Sequence, residues 1–169
     1  MVILGIDPGT AICGYGVIAD DGGGRLSART YGSIKTEPSS SAPERLLLVF
    51  RNLGDIIDTF HPDLISIEQL FFNRNVTTAM SVGQARGVAL LACALRGLPV
   101  MEFTPLVVKQ TVTGYGRADK RQVQFMVKTL LNMDRIPSPD DAADALAVAI
   151  CCAHHKDHLQ LLSRMEGKE

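Results

Sequence analysis

Val2-Ile3-Leu4-Gly5-Ile6-Asp7-Pro8-Gly9-Thr10, with Gly14-Tyr15-Gly16-Val17-Ile18 shortly after it, decides how the chain is read. The apolar residues around Gly5 predict a buried strand, and Pro8-Gly9 is a strong turn signal. The second stretch then reads as the return strand of a hairpin. Asp7 falls at the mouth of a central strand, at the edge of the apolar layer. A carboxylate there either caps the turn through its own backbone, as Asp before Pro-Gly often does, or needs a metal, a basic group or N–H donors.

Downstream, Asp20-Asp21-Gly22-Gly23-Gly24 predicts a turn and residues 25–36 a third strand, which makes a meander at the start of a mixed sheet. Ser41, Pro43 and Glu44 suit the N-cap, second and third positions of a helix that His61-Pro62 ends. Asp63-Leu64-Ile65-Ser66-Ile67-Glu68-Gln69 then predicts a strand parallel to the first, and it too ends in a carboxylate, Glu68. Acids at the same ends of adjacent parallel strands lie side by side, where open α/β sheets place ligands.

A helix is expected over 79–95, rich in small residues such as Gly83 and Gly87, then a short strand over 98–103 and a helix opened by Thr104-Pro105. Gly114-Tyr115-Gly116-Arg117 leads into a helix over 121–131; with Lys109, Lys120 and Arg121 nearby, that loop is a candidate phosphate contact. In the last helix Ser138 suits the N-cap, Pro139 the first position and Asp141 the third. Asp144 stands in an otherwise apolar run from Ala142 to Ile150, which implies burial. Asp141 and Asp144 share a helix face, but so do Asp140 and Asp144, and periodicity does not choose between them.

The composition is that of one ordinary globular domain: 169 residues, 46% hydrophobic, 21% charged, net charge −1. The chain is not basic as a whole, yet residues 74–135 hold nine Lys or Arg against three Asp or Glu. Gathered on one face, these are enough for phosphate contacts. The start lacks a basic leader, the longest apolar runs are too short for a bilayer, and the four cysteines lack disulfide spacing, so a cytoplasmic setting is expected. Cys151, Cys152, His154, His155 and His158 lie on one helix and cannot encircle a zinc ion tetrahedrally.

Asp7, Glu68, Asp141 and Asp144 can converge, and such a cluster needs a compensating cation. Hard oxygen donors suit Mg²⁺ or Mn²⁺, and two such ions clamp the attacking and leaving oxygens of a phosphoryl displacement. Across nearly its whole length, in order, the chain resembles the RuvC Holliday-junction resolvases. The resemblance rests on Gly5-Ile6-Asp7-Pro8-Gly9 with Gly14-Tyr15-Gly16, Ile67-Glu68-Gln69 with Phe71, and Gly83-Gln84-Ala85-Arg86-Gly87. It continues through Val108-Lys109-Gln110-Thr111-Val112, Gly114 and Gly116 with Lys120, and Asp141-Ala142-Ala143-Asp144-Ala145-Leu146-Ala147.

The resemblance implies an α/β, ribonuclease-H-like fold with a mixed five-stranded sheet flanked by helices. It implies a homodimer that nicks four-way DNA junctions symmetrically, and the RuvA-RuvB branch-migration complex as partner. Carried over, Asp7 bridges two metal ions, with Glu68, Asp141 and Asp144 as further ligands. Phe71 corresponds to an aromatic that stacks on an exposed base, and Lys109 and Lys120 to basic residues serving the DNA. Arg74, Arg117 and Arg121 join them as candidate DNA contacts. Asp141 falls where some relatives carry His, and the resemblance favours it over Asp140. The expected organisation is a nuclease domain over 1–156 and a tail over 157–169 with freedom to move.

Two other readings compete. Gly5-Ile6-Asp7-Pro8-Gly9-Thr10 also looks like the first phosphate loop of sugar kinases, actin and heat-shock ATPases, but those folds need a duplicated domain. A DNA-binding module without catalysis is the second, and four convergent acids carry the wrong charge for it unless a metal is present.

Overall fold

The structure, a computed structural model, describes the backbone of residues 1–69 and 76–166, and side-chain surroundings for 1–69 and 79–156. Five strands, β1 (Val2–Asp7), β2 (Ile12–Asp20), β3 (Leu26–Lys35), β4 (Leu64–Glu68) and β5 (Val100–Phe103), form one sheet in the order β3-β2-β1-β4-β5. β1 pairs antiparallel with β2 and parallel with β4, and β5 continues the parallel side. The expected meander and the β1–β4 neighbourhood are both present.

Helices α1 (Ala42–Phe60) and α2 (Val76–Ala94) cover one face, and α3 (Pro105–Thr113), α4 (Lys120–Leu130) and α5 (Asp140–Glu166) the other. The caps follow the local sequence. The Ser41 N–H and hydroxyl both donate to the Glu44 carboxylate, at 2.8 and 2.7 Å. Thr104 accepts from the Val107 N–H at 3.2 Å, and Asp119 and Gln122 cap each other reciprocally at 2.9 Å. α2 begins three residues before the expected position 79.

The start of α5 corrects the sequence reading by one residue. The Pro139 carbonyl accepts from the Ala142 and Ala143 N–H groups, so Pro139, not Ser138, takes the N-cap place. Asp140 is therefore the first residue of the helix and Asp141 the second. Along its buried stretch, Ala142 through Ala153, α5 is covered on all sides except near Asp144. Glycines let it lie on the sheet. A Cβ at Gly5 would stand 2.1 Å from the Ala145 carbonyl oxygen, and one at Gly14 would stand 2.1 Å from that of Asp141. At the far end of the sheet Lys156 pairs with the buried Asp20 carboxylate, which also accepts from the Gly22 N–H at 2.8 Å.

Candidate active site

Strand parity aims the first two acids. Leu4 and Ile6 point into the α1–α2 layer, so Ile3, Gly5 and Asp7 face α5. On β4, Leu64 joins the α5 side and the Ser66 hydroxyl donates to the Val148 carbonyl at 2.9 Å, so Glu68 faces α5 too. The parallel ladder pairs Ile6 with Ile67, and one step on, the strands end in Asp7 and Glu68. α5 then supplies the others. Asp7 pairs in register with Gly14, over which the main chain of Asp141 lies. Asp144, one turn on, lines a cavity of about 240 Å³ with Glu68, Lys109, Lys120, Pro105, Val108, Val123 and Ala147.

The charges feel one another. Burial pushes the Asp7 carboxyl up to about 7 from its ordinary 3.8, helped by Glu68, Asp144 and Asp141 and opposed by Lys120. Burial and then Asp144 push Glu68 up to about 7, against the pull of Lys109. Asp144 is raised by burial, partly offset by Lys120. The Lys120 ammonium stands 3.1 Å from Asp144 Oδ2 and 3.3 Å from Asp140 Oδ2. Asp140 points out of the cleft, and Lys120 and then Gln124 hold its carboxyl below the ordinary range.

An all-oxygen donor set in which Asp7, Glu68 and Asp144 resist shedding their protons is chemically matched to a hard divalent cation. No three acidic, Cys or His side chains among the described residues are drawn into a ready-made coordination cluster. The coupling shows instead in the raised carboxyls of Asp7, Glu68 and Asp144, and Lys120 is the counter-charge beside Asp144.

The other expected residues divide into groups. Lys109 and Lys120 reach the cleft, whereas Arg117 and Arg121 are exposed beside it, on the loop before α4 and on its first turn. Phe71 and Arg74 lie outside the described residues. The Gly114–Gly116 loop does not hold out its amides: Tyr115 N–H donates to Thr113 Oγ1 at 3.1 Å and Gly116 N–H to Gln110 Oε1 at 2.9 Å. Phosphate contact there falls to side chains. The apolar wall of Pro105, Val108 and Val123 was not singled out from the sequence, although Val108-Val112 and Val123-Val127 carry the helical spacing of inward faces. Thr10 is 8% exposed, and its hydroxyl donates to the Ser81 carbonyl at 2.5 Å, so it is not offered to a nucleotide phosphate. Cys151 and His155 are packed into the core region, His155 Nδ1 lying 2.8 Å from the Cys151 carbonyl and its ring 5.2 Å from that of Phe103.

Carboxylates at the ends of neighbouring parallel strands, joined by acids from a helix crossing a mixed five-stranded sheet, define a ribonuclease-H-like nuclease. A family model described as RuvC, crossover junction endodeoxyribonuclease, matches residues 3–152, and the chain belongs to that family. A crossover junction endodeoxyribonuclease RuvC from Heliobacterium modesticaldum is 62% identical over 154 residues, covering 91% of this chain and 94% of that one. The solved Thermus thermophilus RuvC structure superposes with a TM-score of 0.87 at 35% identity, covering 94% of this chain and 96% of that one. T. thermophilus RuvC in complex with a Holliday junction substrate gives 0.86 at 32% identity, with the same coverage. The family is one of metal-dependent nucleases.

Proposed function

We propose that this chain resolves four-way DNA junctions by paired, symmetric hydrolytic nicks, and that Asp7, Glu68, Asp141 and Asp144 form the centre that does so. One observation carries the reading. Acids from β1, β4 and α5 meet at a cleft whose other charged groups, among the described residues, are Lys109 and Lys120. These acids are the residues to hold Mg²⁺, with Mn²⁺ as substitute, two ions per site when substrate is bound. Such ions supply charge neutralisation and Lewis acidity to phosphodiester hydrolysis. Lys109 from α3 and Lys120 from α4 grip the scissile phosphate, and the buried apolar wall thins out competing water. Arg117 and Arg121 hold the flanking strand, and Arg74 joins them. Phe71 stacks on a base left unpaired at the crossover, a contact worth about 1–3 kcal/mol in single-strand systems.

The working unit is a two-fold homodimer, because one chain carries one set of acids and a junction has two equivalent strands to cut. The exposed face of α2 supports this. Met80, Gln84, Gly87 and Leu91 follow one another at four- and three-residue spacing, Leu95 continues the exposed line just past the helix, and among the described residues nothing stands within 4 Å of a Cβ placed at Gly87. Among the described residues no helix is long and apolar enough to cross a membrane; a cytoplasmic setting and service to the RuvA-RuvB complex complete the reading. The nuclease unit is residues 1–156.

The test is direct. Purified protein with Mg²⁺ is offered a synthetic four-way junction or a linear duplex of the same sequence. Symmetric nicks in the junction alone are expected, and equal cutting of the linear duplex would refute junction selectivity.

A further inference from the structure

Four polar side chains link two helices at the rim of the cleft. Lys120 and Gln124 lie one turn apart on α4, and Asp140 and Asp144 lie one turn apart on α5. Lys120 Nζ bridges both acids, 3.1 Å from Asp144 and 3.3 Å from Asp140. Asp140 is held in turn, since its Oδ1 accepts from Gln124 Nε2 at 2.9 Å. The two acids differ in place. The Asp144 side chain is 35% exposed and lines the cleft, while that of Asp140 is 65% exposed and stands outside it.

An ammonium on Asp144 competes with any cation that this carboxylate is to ligate. With Asp144 as its sole partner, Lys120 would either block the ligand or be released into solvent when a cation takes Asp144. A second carboxylate beside it changes that. We propose that Asp140 is a positioning residue, which takes over Lys120 when Asp144 turns to a metal ion and so keeps the ammonium at the rim of the cleft, within reach of the scissile phosphate. The inference rests on the metal-centre reading above. It also gives Asp140 a role distinct from that of Asp141, which lies over Gly14 next to Asp7.

Mn²⁺ binding without DNA provides a readout apart from activity. Free Mn²⁺ is measured by electron paramagnetic resonance in titrations of wild type, Lys120→Met, Asp140→Asn and the double variant, at physiological salt. Removing the competing ammonium should tighten binding in Lys120→Met. Asp140→Asn should weaken it by about three- to fivefold, the scale of an exposed ion pair, because Lys120 then rests on Asp144 alone. In the Lys120→Met background the same substitution should change affinity by less than about twofold, and Asp140→Glu should restore most of the wild-type value. Charges in fixed positions act additively, so an equal effect of Asp140→Asn in both backgrounds would show simple charge attraction and overturn the proposal. Binding in all four proteins without coupling sinks the role of Asp140 alone. Absence of Mn²⁺ binding by folded wild type removes the metal centre, and this proposal with it.

Discussion

Asp7 shows how burial and like charge act on one side chain. Asp7 and Glu68 keep protons up to about pH 7 in the metal-free fold, against ordinary values of 3.8 and 4.5. The folded chain therefore holds protons that the unfolded chain has released. Its stability falls as pH rises from about 4 to about 7, and the full penalty remains above that window. Thermal melts in EDTA should show wild type losing stability across this range, with Asp7→Asn flattening the curve and gaining about 1–3 kcal/mol at pH 8. A variant less stable than wild type at pH 8 would make the acid a structural residue. In gel shifts Asp7→Asn should still bind junctions while nicking none, because the side chains proposed to grip phosphate remain. Phe71 tests separately: Phe71→Ala should slow cleavage, and junctions already opened at the centre should recover part of the rate. A fall of many degrees in melting temperature would instead assign that ring to the core.

At the scale of elements, the site depends on how close α5 comes to β1 and β2. Gly5 and Gly14 are the contact points, and at Gly14 the contact is the main chain of Asp141 itself. Gly14→Ala must push the start of α5 away from the sheet, since the atom in the way is a backbone oxygen. A loss of about 1–3 kcal/mol in denaturant titration is expected. Nicking should fall by more than the folded fraction, because Asp141 moves off Asp7. Activity lost only in proportion to unfolding would show that the spacing serves packing alone. The capping pairs matter at the same scale, for the Asp119–Gln122 box starts α4 at Lys120 and so delivers its ammonium to Asp144.

For the whole molecule, the proposed dimer would assign folding and assembly to different faces of α2. Ala89, Ala92 and Cys93 are buried in the sheet-side layer, whereas Met80 and Leu91 face outward, as does Leu95 just past the helix. Leu91→Glu should leave the melting temperature within a few degrees of wild type and shift the protein to monomer in light scattering. A dimer that persists would move the interface elsewhere. A mixed dimer of wild type and Asp7→Asn should bind junctions normally and convert a supercoiled cruciform plasmid mainly to nicked circles. Linear product at the wild-type rate would mean that one site cuts both strands.

The elements were legible because their signals are local: a continuous apolar run from Val2 to Ile6, turn chemistry at Pro8-Gly9, capping at Ser41-Glu44 and Thr104-Pro105. Period-two side-chain direction also carried Asp7 and Glu68 to the ends of two strands, and a parallel crossover made those strands neighbours. Which acids of α5 join them was not local. Asp140 and Asp141 both satisfy helical spacing to Asp144, so periodicity left the pair open and only the family resemblance favoured Asp141. The packing of α5 gives the two different surroundings, the main chain at Asp141 lying over Gly14 while Asp140 is turned toward Lys120 and Gln124 on α4. The first residue of α5 was likewise decided by the bonds its own turn makes, with the Pro139 carbonyl as first acceptor. Periodicity states which residues share a face, and only the neighbour packed against that face determines what each of them meets.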